Sequence, residues 1–329
     1  MNAATWRSEV VRPPSAAAAV IGVDIGGTFV KAGVIRDRSV LLEEKWETVR
    51  SGSEGMERAL VESVRRLARL YGRPVRGVGI GVPGLVDYPS GVVRSCANLK
   101  GWTRVPLKNR LTRRLRLPVA VGNDVQAMTL AEWKYGAGRG TRNLVCMTLG
   151  TGVGGGLILN GVLYRGRGGP AGEIGHLWVQ RNGIACPCGG QGCLERYVGN
   201  QDILRHVRKQ LREGVRSRLR ALTLGNPERL TPELIDRACE QGDVFARRVW
   251  AEAGEQIGLV LANVINLLNP ERIVIGGGLA LAGCWIFDPM RRTVRKRTMR
   301  GLAAVPIVPA RLGPRAGMIG ASLFLGESA

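Results

Sequence analysis

The sequence is poor in aromatic residues, histidine and acidic residues. Aromatic side chains make up 5% of its 329 residues, it has two histidines, and 26 Asp and Glu stand against 48 Lys and Arg. It is nevertheless 45% hydrophobic with 47 glycines, enough apolar content for a large core and enough glycine for many tight turns. This balance excludes a disordered or collagen-like chain and predicts a soluble α/β protein long enough for two domains.

Long apolar runs and a secretory leader are also missing. The longest hydrophobic stretch, IGLVLANVINLLN, contains Asn263 and Asn266 and is shorter than the ~20 apolar residues that a membrane span needs. The apolar run before Asp24 follows two prolines and leads directly into a predicted core strand, unlike a signal peptide. The cysteine number, seven, is odd, and four cysteines are isolated, which suits a reducing compartment. We expect a cytoplasmic protein with no membrane partner.

The net charge of +22 allows two interpretations. The segments RLTRRLR, RHVRKQLREGVRSRLR and RRTVRKRTMR could attract a nucleic acid or another polyanion. They also fall on predicted amphipathic helices, whose solvent faces must carry charge. We favour a solvated surface, expect no nucleic-acid partner, and expect the positive field to help gather anionic nucleotides.

The two halves of the chain repeat one pattern. Residues 19–36 predict strand, glycine turn and strand, and NLVCMTLGTGVGGGLIL predicts the same further along. An offset of about 123 positions places Gly27-Thr28 on Gly150-Thr151 and Gly33 on Gly156. Further strands and a helix ending near Gly72 follow the first hairpin. The second is followed by helices at about 201–213, 231–241 and 243–268, a strand before Gly276 and a last helix at about 316–326. We therefore expect a duplicated fold.

Both glycine turns have the residues of a phosphate loop. The first offers glycines for close backbone approach, a hydroxyl, a cation and a carboxylate for Mg²⁺, which are Gly26, Gly27, Thr28, Lys31 and Asp24. The second repeats the turn with Gly150, Thr151 and Gly152. A single glycine hairpin is common, but two at equivalent places favour nucleotide binding across a cleft.

The tripeptide GND places Asp124 between a buried strand and a helix. A carboxylate there is usually an N-cap that accepts a backbone N–H. Its place at the carboxyl end of a sheet strand, where α/β sheets bind ligands, also makes it a candidate general base.

The spacing His176-x9-Cys186-x-Cys188-x4-Cys193 supplies one nitrogen and three sulfur ligands. Free structural cysteines are the alternative, whereas a redox pair would usually have the C-x-x-C spacing. The set predicts a closed tetrahedral zinc site, which holds structure and leaves no position open for catalysis.

The segments DIGGT, GND, LGTGVGGG, GEIGH, CPCGGQGCLE and IGGGL, in this order, resemble the ROK family of sugar kinases and related repressors over about residues 19–325. The resemblance implies the actin/hexokinase superfamily, with two ribonuclease-H-like domains around an ATP cleft, and a homodimer or homotetramer. It implies a small domain of residues 18–123 plus 315–329 after a flexible segment 1–17, and a large domain of residues 124–314 with a zinc loop at 176–195.

The same resemblance implies residue roles. Asp124 corresponds to the catalytic base. The implied sugar contacts are Asn123, Glu173, His176, Glu195, Asn98 and Gly84. The turn near adenosine corresponds to Gly276, Gly277 and Gly278, and the zinc ligands to His176, Cys186, Cys188 and Cys193.

The implied activity is ATP-dependent phosphorylation of a hexose at its 6-hydroxyl, with Mg²⁺ and structural Zn²⁺. Leu85 stands where amino-sugar kinases of the family can carry Arg, which favours glucose over N-acetylmannosamine or N-acetylglucosamine. Allose and fructose are further alternatives. A sugar-responsive repressor is a remote one, because only 23 residues precede Asp24 where such repressors add a DNA-binding domain.

Overall fold

Two five-stranded sheets form the framework of the computed structural model, which describes residues 18–96, 99 and 101–326. The predicted flexible segment 1–17 and Asn98 lie outside the described residues. The first sheet has the order β3-β2-β1-β4-β8, with β1, β2 and β3 antiparallel and β1, β4 and β8 parallel. Its strands are β1 (Val20–Ile25), β2 (Phe29–Arg36), β3 (Ser39–Glu47), β4 (Val78–Val82) and β8 (Val119–Asn123).

The second sheet repeats this topology in the order β11-β10-β9-β12-β13, again with a three-stranded antiparallel meander followed by parallel strands. Its strands are β9 (Leu144–Leu149), β10 (Val153–Leu159), β11 (Val162–Tyr164), β12 (Arg272–Gly276) and β13 (Ile307–Pro309). Ile25 pairs with Val30 in the first hairpin and Leu149 with Val153 in the second, so the second turn is one residue shorter. The predicted duplication is confirmed.

Helices surround the sheets and fill the space between them. They are α1 (Ser53–Tyr71), α2 (Leu107–Leu115), α3 (Asp124–Tyr135), α4 (Glu195–Val198), α5 (Asn200–Arg212), α6 (Leu219–Leu222), α7 (Pro232–Glu240), α8 (Val244–Leu268), α9 (Cys284–Arg297) and α10 (Ala316–Leu323). The helix α1 ends where predicted, because Gly72 adopts the left-handed conformation and its N–H contacts the carbonyls of Ala68 and Arg69.

The helices α3 and α10 connect the two sheets. Buried side chains of both, including Leu130 and Met318, form one cluster with Ile35 of the first sheet and with Leu144 and Val274 of the second. The chain crosses between the sheets along α3 and returns to the first sheet through residues 310–316. The domain boundaries at 123/124 and 314/315 stay a prediction.

A small sheet between β4 and β8 was not predicted. It has the order β5-β6-β7 and consists of β5 (Leu85–Asp87), β6 (Val92–Ser95) and β7 (Thr103–Val105). It begins directly after Gly84. The sequence indicates only single strands and one helix in the first half, so this sheet is an addition to the predicted fold.

The basic segments lie mostly on helices, as expected, and the longest part outside them is residues 213–218, which join α5 to α6. On α5, Arg205 pairs with Asp202, and Arg212 pairs with Glu228 from a neighbouring turn. The absence of a nucleic-acid partner stays a prediction. Within the described part of the chain, no helix is both long and apolar enough to cross a bilayer.

Candidate active site

Asn123, rather than Asp124, caps the helix α3. Its Oδ1 accepts hydrogen bonds from the backbone N–H groups of Val125 at 2.9 Å and Gln126 at 3.1 Å, and its Nδ2 donates to the Gly84 carbonyl at 3.1 Å. The helix accordingly begins at Asp124, one residue earlier than expected. Asp124 accepts the shared Val125 N–H through Oδ1 at 2.9 Å. Asn123 thus takes the capping role and leaves Asp124 available for chemistry.

Asp124 has the protonation behaviour of a general base near neutral pH. Burial raises the pKa of Asp124 to about 7, and the nearby carboxylates of Asp24 and Glu173 contribute to the increase. These three acidic side chains come from three different segments, a strand of the first sheet, the start of α3 and the loop after β11. A carboxylate with a pKa near the working pH can accept a proton and release it again.

Asp24 lies beside Asp124 near the end of β1. Burial raises its pKa to about 6, and Lys31, its partner across the β1–β2 pair, opposes that increase. Gly317, at the start of α10, packs so closely on the Asp24 carboxylate that a Cβ would overlap it. Lys31 donates from Nζ to the Pro314 carbonyl at 2.9 Å. Its role as a phosphate cation stays a prediction.

The first glycine turn is held by the strand next to it. The Gly26 N–H donates to the Phe29 carbonyl at 3.0 Å, and the Thr48 hydroxyl donates to the Gly26 carbonyl at 2.7 Å. Thr28 at the tip is exposed. A fixed turn with an exposed hydroxyl can receive an anion such as a phosphate group.

The second glycine turn is held by the segment after the cysteine cluster. Glu195 accepts the Val153 N–H through Oε2 at 2.9 Å, and the Asn200 N–H donates to the Gly150 carbonyl at 2.9 Å. Gly277, in the turn after β12, packs on the backbone of Leu149. The predicted phosphate turn and the predicted adenosine turn are therefore neighbours, and Thr151 is exposed at the tip.

Part of the glycine richness of LGTGVGGG serves packing. A Cβ at Gly154 would overlap Val125, and one at Gly156 would overlap Thr129, both residues of α3. From the first sheet, Gly81 also faces α3, where an added Cβ would lie 3.3 Å from the Asp124 Cα. The sequence pattern predicts nucleotide binding at this turn, and Gly154 and Gly156 in addition let α3 approach the second sheet.

The predicted metal ligands form a compact cluster. The ligand atoms of His176, Cys186, Cys188 and Cys193 all lie within 4.8 Å of one another. The Sγ atoms of Cys188 and Cys193 are 3.7 Å apart, and the Sγ of Cys186 is 3.7 Å from Nδ1 of His176. A tetrahedral Zn²⁺ with sulfur and nitrogen ligands has edges of about 3.6–3.8 Å, so these residues fit the ion.

The cluster joins the two segments that carry the predicted sugar contacts. Nε2 of His176 lies 3.9 Å from Oε2 of Glu173, and Trp178 forms an isolated bridge with Cys193, two residues before Glu195. Burial raises the pKa of Glu173, Glu195 adds to that effect, and His176 opposes it. A histidine that binds metal through Nδ1 leaves Nε2 free to face a carboxylate or a ligand.

Sequence reasoning missed three contacts that shape the site. Gln126 is buried and donates from Nε2 to the Gly169 carbonyl at 2.7 Å, which fixes the loop that leads to Glu173. The other two are Gly317 against Asp24 and the buried Glu132 near the end of α3. A polar residue on an otherwise apolar helix was the only signal for Gln126 and Glu132.

Comparison with known proteins decides the family. The model of the ROK family matches residues 20–327. The chain belongs to the ROK family. It is 35% identical to a glucokinase of Streptomyces coelicolor over 307 residues, which cover 92% of this chain and 96% of that protein.

Solved structures and regulators of the family are also similar. A ROK glucokinase of Streptomyces griseus, in complex with glucose and AMPPNP, has a TM-score of 0.83 and 34% identity over 93% of this chain and 98% of that one. This ROK protein has the same actin-like fold, as predicted. A xylose repressor of Caldicellulosiruptor bescii is 30% identical over 85% of this chain and 70% of its own length, so the family includes regulators as well as kinases.

Proposed function

We propose that this ROK protein is an ATP-dependent kinase that transfers a phosphoryl group to the 6-hydroxyl of a hexose, with glucose as the preferred sugar. The observation that carries the proposal is Asp124, whose pKa is raised to about 7, at the start of a helix packed between the two sheets. The similarity to glucokinases over almost the whole chain supports the choice of sugar and nucleotide.

Asp124 acts as the general base. Its carboxylate accepts the proton of the sugar hydroxyl while that oxygen bonds to the γ-phosphorus of ATP and the bond to the β–γ bridging oxygen breaks, which releases ADP. Around it, polar groups orient the sugar ring, and we assign this role to Asn123, Glu173, His176, Glu195, Asn98 and Gly84. Orientation contributes much of the acceleration, because the reacting oxygen must lie in line with the leaving group.

The glycine turns hold the nucleotide. The turns of residues 26–28 and 150–152 would receive the phosphates through the backbone N–H groups that are not already bonded within each turn, and residues 276–278 would border the adenosine. Asp24 would hold Mg²⁺, which neutralises charge on the phosphates when it is bound.

A structural Zn²⁺ held by His176, Cys186, Cys188 and Cys193 would pin the segments of Glu173 and Glu195 together. The support is the compact ligand set and the 3.9 Å distance between His176 Nε2 and Glu173 Oε2. A closed four-ligand site of this kind contributes to folding and leaves the chemistry to Asp124.

We also propose the division into residues 18–123 plus 315–329 and residues 124–314, and a homodimer or homotetramer. Light scattering during size-exclusion chromatography measures the assembly directly, and a monomer at micromolar concentration would contradict that part of the proposal.

A coupled assay of ADP formation over a panel of sugars tests the function. We expect the highest kcat/KM with glucose, ahead of fructose, allose, N-acetylmannosamine and N-acetylglucosamine. Asp124→Asn keeps the shape of the side chain but removes the base, and should lower kcat by about 10³-fold. Asp288→Asn, on the exposed face of α9, is the control and should stay within about twofold, as expected of a surface substitution.

Two results would contradict the proposal. A wild-type protein that phosphorylates none of these sugars would exclude the activity. An Asp124→Asn variant with wild-type kcat would exclude the assigned base. A preference for an N-acetylhexosamine would keep the chemistry and replace the sugar.

A further inference from the structure

The buried carboxylate of Glu132 joins two parts of the chain that lie far apart in sequence. Its side chain is fully buried in the last turns of α3. Its Oε1 accepts the backbone N–H groups of Arg311 at 2.9 Å and Leu312 at 2.8 Å, and its Oε2 accepts the N–H of Ala137 at 2.8 Å. A buried carboxylate is tolerated only when such hydrogen bonds replace its water, so this geometry is tightly determined.

On each side of this contact, the chain leads to one of two carboxyl groups, Asp124 or Asp24. Glu132 is eight residues beyond Asp124 on the same helix, about 12 Å along its axis. From Leu312 the chain continues to Pro314, which accepts Lys31, and to Gly317, which packs on Asp24. The contact therefore lies between the helix that carries Asp124 and the segment that touches Asp24.

We propose that Glu132 is a positioning residue for phosphoryl transfer. It fixes the return segment 310–316 to α3 and thereby sets the distance between Asp124 and Asp24. The proposal rests on the kinase function proposed above and adds a residue that touches neither sugar nor nucleotide. Acceleration by alignment is sensitive to this distance, because a displacement of 1 Å can cost about 10²-fold in rate.

A matched control exists in the second half. Glu271 makes the same kind of contact, since its Oε1 accepts the backbone N–H groups of Arg142 at 2.9 Å and Asn143 at 3.0 Å. It is exposed, and it joins two segments beside the second sheet only. The substitutions Glu132→Met and Glu271→Met each remove a carboxylate that accepts two neighbouring backbone N–H groups of a distant segment, but the two contacts differ in burial and in what they connect.

The pH profile of kcat/KM for glucose separates positioning from loss of folded enzyme, because a smaller active fraction lowers the rate without moving the profile. Asp24 and Glu173 are the charged groups that face Asp124, and Lys31 faces Asp24. In Glu132→Met both acceptor oxygens are removed, so the Arg311 and Leu312 N–H groups lose their partner, the two segments separate, and the repulsion between Asp24 and Asp124 weakens. We expect kcat/KM to fall at least ~10-fold and its acidic limb to move down by ~0.5 pH unit or more.

The control Glu271→Met should stay within about twofold and keep the wild-type profile. Glu132→Asp keeps the charge but shortens the side chain, so it cannot reach both segments and should move the profile in the same direction. Having both variants keeps the test valid if one of them does not fold. A Glu132 variant that folds and has the wild-type profile, or a control that shifts as much, would overturn the proposal.

Amide hydrogen exchange of the wild-type protein tests the contact without turnover. The amides of Arg311 and Leu312 should exchange as slowly as those of the core strands. Exchange as fast as at an exposed turn would overturn the contact between Glu132 and these two amides, even if the protein is an active kinase. A protein that phosphorylates no sugar but protects these amides would instead overturn the proposed function and leave the contact supported.

Discussion

The two halves of this protein have the same sheet topology but place a carboxylate at their glycine hairpins in different ways. In the first half, Asp24 belongs to β1, so strand register fixes it. In the second half, Glu195 reaches the Val153 N–H from a segment outside the sheet. A strand residue is positioned by the hydrogen bonds between the strands, whereas a residue outside the sheet is positioned only if its own segment is held in place. The cysteine cluster occupies the place where that support is required.

One charged contact from each half can be compared. In the first, Glu57 on α1 is buried and contacts Arg110 of α2 at 2.8 Å and Arg114 at 3.8 Å. In the second, the pair between Arg212 and Glu228 is exposed on both sides. The two halves thus supply one buried and one exposed contact, and substitutions can measure the difference.

Loss of the proposed zinc should have the largest effect, and mainly on the second half. Cys193→Ser removes a buried proposed ligand, so we expect less than about half a zinc per chain, a KM for glucose raised at least ~10-fold and a lower melting temperature. The KM for ATP should change less, because the first turn does not depend on the cluster. Metal analysis and steady-state kinetics measure these values.

Cys284→Ser is the control for that substitution, since Cys284 is exposed and lies outside the cluster. It should bind zinc and glucose like the wild type. A zinc-free Cys193→Ser protein with the wild-type KM for glucose would show that the position of Glu195 does not depend on the metal.

The dependence on pH should come next. Asp24 and Asp124 have pKa values raised to about 6 and about 7, and both would titrate near 3.8 when unfolded. Between about pH 4 and 7 the native state binds more protons than the unfolded state, so these groups lower the free energy of unfolding as pH rises. The rate kcat/KM should rise over the upper part of this range, because the base must be deprotonated.

Urea denaturation at several pH values measures the stability effect. In Asp24→Asn one of the two groups is gone and the repulsion on Asp124 is relieved, so the dependence should be flatter. A variant with the wild-type slope would show that Asp24 is not the group responsible.

The smallest effect should come from the ion pairs. Glu57→Gln leaves Arg110 without its buried partner and should lower the free energy of unfolding by about 2 kcal/mol. Arg212→Ala breaks an exposed pair and should cost less than about 0.5 kcal/mol. Denaturant titration of both variants gives the comparison, and equal values would contradict the distinction drawn between the buried and the exposed contact.

The confirmed predictions came from local sequence patterns. The two hairpins follow from glycines between β-branched runs, and the compact cluster of His176 and three cysteines follows from their spacing. The small sheet β5-β6-β7 was missed because strands of three or four residues are too short to show alternation. The capping role went to Asn123 because its side chain, and not that of Asp124, spans to Gln126.

Contacts between residues that are far apart in the sequence could not be predicted from local patterns. Glu132 meets Arg311 and Leu312 at separations of 179 and 180 residues, and Gln126 meets Gly169 at 43. No spacing rule joins such positions, because their proximity follows only after both sheets have formed. The roles of the individual sugar and phosphate residues stay predictions for the same reason.

Two glycines that flank α3 lie where an added side chain would press on the turn that carries Asp124. Gly81 from one sheet faces the Asp124 backbone, and Gly154 from the other faces the Val125 side chain, so both border the turn that carries Asp124. A methyl group at Gly154 would overlap Val125, whereas one at Gly81 would lie 3.3 Å from the Asp124 Cα. Because a displacement of about 1 Å can cost 10²-fold in rate, selection for the proposed activity should act on Gly154 as well as on Asp124, although Gly154 has no side chain that could take part in the reaction.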